Sequence, residues 1–407
     1  MCIGRLHRKR SSMIGGEEQL PLKYILLGSL GWIAISFPRM LVSPVLPFIE
    51  ADFNISHAQS ALLMSSYLLP YAIVQLPAGS LSDRFGNRRF MLLAMAGTSL
   101  GSFLVGLSTT FELALAARLF AGSLSGFWFA SSTKIIVQNT GSARQGRALG
   151  ITYSGGAVAN ILIYLTVGSL SNLRIGWRPF FMVGALPGLV CLAMTHLFTR
   201  DQKEKTGREE ASEGVSLADI AKQLARPPVI LISSFNFIVS LANWSLGTFV
   251  PTYLANGRGL SVADASSTML VQATASVFNG LAGGYITDSL GFKPPAIVSM
   301  LVMCLVSTLL PIIPLGMPAG LVLVLWGLVG GWSYTASNVF ILKIIPRRLR
   351  GTFLGIFNQI GFISATMGPP IFGLVLDAAG FRAFFYLALA LYAASLVIIL
   401  LIRERRS

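Results

Sequence analysis

Three basic side chains lie inside long apolar stretches of the chain. Arg39 falls in the stretch from residue 24 to residue 49, and Arg118 and Lys134 fall in the stretch from residue 111 to residue 137. A charge near the middle of a membrane-spanning helix costs roughly 2.5–3.5 kcal/mol. No aspartate or glutamate lies in the middle of an apolar stretch. This positive field without a countercharge favours an anionic ligand, because the planar fork of arginine pairs well with carboxylate or phosphate.

Each basic residue also has a structural interpretation. Arg39 could extend along its helix to the outer surface, and Arg118 could hold helices together. Lys134 lies near one end of its stretch, where we interpret it as a topological charge.

Uncharged polar and aromatic residues in the apolar stretches are candidates for lining a substrate cavity, although each could instead form a hydrogen bond between helices. The predicted substrate-binding set is Arg39, Arg118, Tyr67, Tyr153, Asn160, Asn243, Trp244, Gln272, Trp332 and Asn338, with Gln75, Asn279, Tyr334 and Asn358 as further cavity candidates.

The sequence contains no pattern for metal, cofactor or covalent chemistry. The three cysteines are isolated, and the histidines at positions 7, 57 and 196 share no ligand spacing. The run GSLSG at 122–126 has Leu124 where a nucleophile elbow needs serine, and no Gly-rich phosphate loop precedes a lysine. We therefore predict no metal, no cofactor and no enzymatic activity.

The elements that carry these residues are predicted to be transmembrane helices. Hydrophobic residues make up 54% of the chain and charged residues 12%, and apolar stretches of about 20 residues recur along it. The fold class is therefore an all-α polytopic membrane protein with twelve segments. They span approximately 23–49, 59–81, 90–109, 111–137, 149–170, 179–198, 228–254, 263–287, 295–315, 318–342, 352–376 and 383–402.

The net charge of +15 follows the topology of such a protein. With the N-terminus inside, the termini and inner loops hold 24 of the 31 basic residues, and the outer loops hold Arg174, Arg178, Arg258 and Arg382. We therefore predict a multi-pass protein of the cytoplasmic membrane. The positive-inside rule places both of its termini in the cytoplasm. No basic patch is interleaved with aromatics, so we predict no nucleic-acid partner.

The chain repeats itself at an offset of 205 residues. Asp83 and Gly86 correspond to Asp288 and Gly291, and the pair Gly122 and Gly126 recurs 205 residues later. A hydrophilic stretch separates the two copies, and its SLADIAKQLA run predicts a short helix capped by Ser216. The predicted divisions are residues 1–198 for an N-terminal six-helix bundle with a basic tail, 199–227 for a cytoplasmic linker and 228–407 for a C-terminal bundle. Parallel repeats of this kind rock around a central site.

The stretch GSLSDRFGNRR at 79–89 and the spacing Arg118-x3-Gly122-x3-Gly126 resemble two motifs of the major facilitator superfamily. The resemblance covers essentially the whole chain and implies two pseudo-symmetric six-helix bundles that alternate access. It also implies that Asp83 docks on the start of helix 11, near Gly351, and closes the inner gate of the outward-facing state. The implied gating residues are Gly79, Asp83, Arg84, Gly86, Arg88, Arg89, Asp288 and Gly291.

Helix 1 resembles that of the organic-anion branch of this superfamily, in which an arginine at the place of Arg39, eight residues before Pro47, binds substrate. Phosphate-binding members carry a second arginine on helix 7, where this chain has Asn243. We therefore expect a carboxylate or another singly charged anion.

The expected partners are this small molecule, the lipid bilayer and a coupling proton or other ion, and the expected state is a monomer.

Two other functions and several coupling modes stay open at this point. Efflux of drugs or amphiphiles is an alternative within transport, although helix 5 lacks the Gly-Pro pair of antiporters. A non-transporting membrane enzyme or sensor would need a catalytic cluster or a soluble domain. Without a titratable group in mid-membrane, exchange, uniport, a proton carried on the substrate and edge carboxylates all remain as coupling modes.

Overall fold

The computed structural model describes residues 22–141, 144–173, 175–199 and 216–402, and all regular structure within these ranges is helical. The predictions for the two basic tails, for Arg174 and for the middle of the linker lie outside the described residues. The linker helix is confirmed as Leu217–Leu224, with the Ser216 side chain accepting a hydrogen bond from the N–H of Ala218.

The N-terminal half contains six membrane-spanning helices, several of which are interrupted. They are α1 (Leu22–Met40 and Val42–Phe53), α2 (His57–Phe85), α3 (Asn87–Leu107), α4 (Phe111–Ser125 and Trp128–Gln138), α5 (Gln145–Tyr153 and Gly155–Leu170) and α6 (Arg178–Gly184 and Leu186–Phe198).

The C-terminal half contains the matching six. They are α7 (Pro227–Thr252), α8 (Val262–Ser276 and Asn279–Leu290), α9 (Lys293–Leu309), α10 (Met317–Val329 and Trp332–Ile344), and α11 and α12, which together form Arg350–Leu401 and are divided at Gly380, where φ is +74°.

Twelve spans follow from these bounds. In the described part of the chain, nine continuous stretches are long and apolar enough to cross a membrane, and one of them, Arg347–Leu401, contains both α11 and α12. The interrupted α8 and the 17-residue α9 complete the set. The predicted fold class of an all-helical, twelve-span membrane protein is confirmed.

The internal repeat is visible in the backbone. Gly86 ends α2 with φ +96° and Gly291 ends α8 with φ +85°, a region that only glycine occupies without strain. The close approaches of helices also repeat. A Cβ at Gly122 would lie 2.2 Å from the backbone oxygen of Tyr67, and a Cβ at Gly327 would lie 2.4 Å from that of Gln272.

These contacts give a first testable prediction. Gly122→Val and Gly327→Val should each lower the stability by about 1–3 kcal/mol, because overpacking must push two backbones apart. Thermal unfolding in detergent measures the effect. Gly320→Val is the matched control on α10, because a Cβ there has no neighbour within 4 Å. Equal melting temperatures for the three variants would contradict the prediction.

The two halves meet along α2 and α11, which run antiparallel. The backbone N–H groups of His57 and Ala58 donate to Asp377, and the Ser65 hydroxyl donates to the Thr366 carbonyl at 2.6 Å. The Tyr71 and Phe362 rings lie 5.3 Å apart. We call the end with His57 and Asp377 the sealed end.

The opposite end of the same helices, with Asp83 and Gly351, is called the open end. Asp83 has 65% of its side chain exposed, and a Cβ at Gly351 would meet nothing within 4 Å. Among the described residues, the α2–α11 hydrogen bond nearest this end runs from the Gln359 amide to Gln75, at 3.2 Å. The halves therefore part between Gln75 and Asp83.

Candidate substrate site

A cavity of about 270 Å³ lies between the two halves. Its walls combine uncharged polar groups with methionine and aromatic side chains, as small-molecule sites commonly do. They include four residues of the predicted substrate-binding set, Asn160 of α5, Asn243 and Trp244 of α7, and Gln272 of α8, together with the further candidate Asn279 of α8.

A second cavity of about 270 Å³ lies among α7, α10 and α11. It shares Asn243 and Trp244 with the first cavity and adds Tyr334 and Asn358, whose side chains form a 3.0 Å hydrogen bond. The two cavities are thus two lobes of one central region, with Asn243 and Trp244 between them.

Arg39 lies beside this partition and is 8% exposed. Its guanidinium sits 5.8 Å from the ring of Tyr71 in one half and 5.9 Å from that of Trp244 in the other. Nη2 donates to the Ser36 hydroxyl at 3.1 Å, whereas the buried Nε has no hydrogen-bond partner among the described residues. The side chain is therefore buried between aromatic faces and does not extend to the outer surface, and most of its donors are free for a ligand.

Arg118 is 1% exposed and uses its donors on backbone carbonyls. Nε donates to Leu63 at 2.8 Å, Nη1 to Pro38 at 2.7 Å and Nη2 to Arg39 at 3.3 Å. Two of these carbonyls lie directly before the interruption of α1 at Leu41. This arrangement favours the structural interpretation, in which Arg118 holds the backbone that carries Arg39.

Arg118→Met should therefore lower the stability by about 3 kcal/mol or more. Three carbonyls lose a charged donor, each bond being worth roughly 1.5–3 kcal/mol, and removal of the buried charge offsets part of that loss. Arg118→Lys should recover only part of the loss, since an ammonium lacks the fork that reaches several acceptors. Thermal unfolding of the unliganded protein measures this effect. Unchanged unfolding together with lost substrate binding would instead assign Arg118 to direct contact.

The remaining predicted residues lie outside the lining of both cavities. Tyr67 is buried, and its ring lies 4.8 Å from the Arg118 guanidinium. Tyr153 stacks on Phe129, with ring centres 6.0 Å apart. The Asn338 amide donates to the Tyr334 carbonyl at 3.0 Å. Of the predicted set, Tyr67, Tyr153, Trp332, Asn338 and the two arginines are not among the residues that line either lobe.

Sequence reasoning missed Tyr71 and the methionines at 40, 64 and 269, which line or border the region. The methionines look like ordinary core residues in any apolar stretch. Tyr71 carried a usable signal, because it follows Tyr67 by four residues and residues four apart share a helix face.

The predicted gating residue Asp83 contacts a lysine of its own half. Lys134 Nζ contacts the Asp83 carboxylate and donates to the Gly79 carbonyl at 2.8 Å. Arg88 donates to the His196 carbonyl at 3.2 Å. Lys134 thus has a specific partner beyond its topological charge.

Twelve spans in two repeated halves, with a polar cavity between them that is sealed at one end, define a membrane carrier for small solutes. A family profile for the Major Facilitator Superfamily matches residues 28–369. The chain belongs to this superfamily, whose members are membrane transporters and not enzymes.

Relatives at low identity cover nearly the whole chain. The chain is 26% identical to the hexuronate transporter of Bacillus subtilis (strain 168), over 94% of each protein, and 23% identical to the sialic acid transporter NanX of Escherichia coli (strain K12), over 91% of each. Drug-resistance proteins also occur among the relatives. A solved structure of a bacterial homologue of the human lysosomal transporter Spinster, inward-facing and unoccupied, matches with a TM-score of 0.76 at 18% identity, covering 95% of this chain and 96% of the other.

Proposed function

We propose that the protein is a secondary active transporter that moves a small organic anion, a carboxylate, across the cell membrane by alternating access. The observation that carries this proposal is the buried Arg39 guanidinium, whose Nε has no hydrogen-bond partner in the part of the chain that the structure describes. Within the described residues no carboxylate forms an ion pair with it. A buried charge without a counterion is costly, and an anionic substrate would supply the counterion.

The surroundings of Arg39 fit a carboxylate better than a phosphate ester. Asn243 stands at the place of a second arginine, and its Oδ1 accepts a 2.6 Å hydrogen bond from the Tyr392 hydroxyl. The NH₂ group of the Asn243 amide is therefore the part that can donate a hydrogen bond to a ligand. One guanidinium and one neutral amide match a single negative charge. The relatives for hexuronate and sialic acid are consistent with this class.

The gating motif fits the same cycle. With the predicted orientation, the sealed end is outside and the described conformation faces inward. The α2–α11 contact pairs Gln75 with Gln359, and eight residues further toward the open end on each helix lie Asp83 and Gly351. Among the described residues, no side chain caps the first N–H groups of the helix that begins at Arg350. When the halves close at this end, the Asp83 carboxylate would reach those groups.

The test is uptake and counterflow in proteoliposomes containing the purified protein. We expect transport of one or more monocarboxylates or sugar acids and weak transport of phosphate esters. Efflux of drugs is the competing function, favoured by the drug-resistance relatives. Transport of cationic or neutral amphiphiles in the same vesicles, with no response to any carboxylate, would overturn the proposal.

A further inference from the structure

Asp377, at the sealed end of α11, caps the first turn of α2 from the other half of the protein. Its Oδ1 accepts the N–H of His57 and its Oδ2 accepts the N–H of Ala58, each at 2.9 Å. A bidentate carboxylate on a helix N-terminus combines two charge-assisted hydrogen bonds with a favourable interaction with the helix dipole.

At the N-terminus of α2, two backbone N–H groups find their acceptors, within the described ranges, on Asp377 alone. An α-helix begins with four N–H groups that lack partners within the helix. The capping box of α2 satisfies two of them, since Ser56 N–H donates to the Gln59 side chain and Gln59 N–H donates to the Ser56 hydroxyl. The other two belong to His57 and Ala58. When the halves separate at this end, the N–H groups of His57 and Ala58 must donate to water instead.

The turn that presents these donors is fixed by the buried Glu50 of α1. Its carboxylate accepts a 2.6 Å hydrogen bond from the Ser60 hydroxyl and lies 2.9 Å from Nδ1 of His57. The His57 ring also faces Phe249 and Phe381 of the other half, with centres 6.1 and 6.0 Å away. Close approach of the helices depends on Gly373, where a Cβ would lie 2.7 Å from Cα of Ala58.

We propose that Asp377 is the latch of the outer gate and the reciprocal of Asp83, so that each end of the α2–α11 pair closes by a carboxylate of one helix on the N-terminus of the other. This inference rests on the alternating access of the proposed function. Asp377 stabilises the state closed at the sealed end, and Asp83 stabilises the state closed at the open end. The two carboxylates compete because α2 and α11 rock against each other, so that closing one end separates the other. Asp377 is in this sense a positioning residue.

Pulsed electron paramagnetic resonance can measure both gates in one protein. Spin labels at Glu112→Cys and Met317→Cys report on the sealed end, and labels at Leu197→Cys and Leu401→Cys report on the open end. All four positions are exposed, and each pair joins the two halves. The background has alanine at the three native cysteines, positions 2, 191 and 304.

We expect Asp377→Asn to shift the ratio of closed to separated sealed ends about tenfold toward separation. The open end should close correspondingly, and Asp377→Glu should recover part of the shift. Asp83→Asn should move both distances the opposite way. Asp264→Asn is the matched control, because this carboxylate also lies at a helix start at the sealed end but accepts from Ser261 of its own half.

Unchanged distances in Asp377→Asn, or a shift in the same direction as Asp83→Asn, would overturn the inference. The measurement needs no substrate. A shift in Asp377→Asn without carboxylate transport by the wild type would therefore leave the latch standing and reject the proposed substrate class.

Discussion

Arg39→Ala should lower the affinity for the proposed carboxylate substrate by about 30-fold to 5,000-fold. Truncating one partner of a buried, hydrogen-bonded charge pair costs roughly 2–5 kcal/mol, and each 1.4 kcal/mol is a factor of ten. The affinity of Arg39→Lys should lie between those of the wild type and Arg39→Ala, because lysine keeps the charge but lacks the forked donors of the guanidinium. Binding titration of the purified protein with the best substrate of the transport screen measures the change.

The same variant separates a binding role from a structural one. Without substrate, the melting temperature of Arg39→Ala should be no lower than that of the wild type, because the substitution removes a buried charge with an unpaired Nε. Ser36→Ala is the control. It removes the hydrogen bond between the guanidinium and Ser36, which the protein already makes without substrate, so the affinity should change less than threefold. Unchanged affinity in Arg39→Ala would reject Arg39 as the anion site.

The sequence was sufficient for the spans because each needs its own apolar stretch, whatever the tertiary arrangement. It was not sufficient for their interruptions. The break at Gly126 in α4 recurs at Gly331 in α10, 205 residues later, so it belongs to the duplicated scaffold. Within an apolar stretch, a glycine that bends a helix looks the same as a glycine that packs against one.

The site was predicted in part, because polarity identifies a buried residue that needs a partner without identifying the partner. Arg39 and Arg118 look alike in the sequence, since both are arginines in apolar stretches. They differ because α1 is interrupted after Met40 and presents carbonyls to Arg118, which leaves only Arg39 with free donors. That difference arises from the packing of α1 against α4, which neither stretch encodes by itself.

The gate depends even more on global arrangement. Lys134 and Asp83 lie 51 residues apart in the chain, and their contact exists while the open end is open. A local pattern can show that Asp83 is a candidate switch. The two positions of the proposed switch become visible only when both the present partner and the alternative one are known. Here they are Lys134 and the helix start at Arg350, which has no side-chain cap among the described residues.

Asp83→Asn and Lys134→Gln should therefore shift the conformational equilibrium in opposite directions. Loss of the Asp83 charge weakens docking on the start of α11, where a carboxylate is worth up to about 2 kcal/mol, so the outward-facing population and the transport rate should fall about tenfold or more. Lys134→Gln frees Asp83 from its present partner and should favour closure of the open end. The expected gain is small, about threefold, because the Asp83 side chain is largely exposed and surface pairs contribute roughly 0–1 kcal/mol.

The repeat supplies an internal control for this pair of variants. Asp288 occupies the position of Asp83 in the second half, and its counterpart of Gly351 is Gly146 at the start of α5. The loop after Asp288 lacks the arginines of the first copy, so Asp288→Asn should reduce the transport rate less than Asp83→Asn does. Spin-label distances at the open end and uptake rates should change together across the three variants. If Asp83→Asn slows transport while the open-end distance stays that of the wild type, Asp83 acts elsewhere in the cycle and the docking interpretation is wrong.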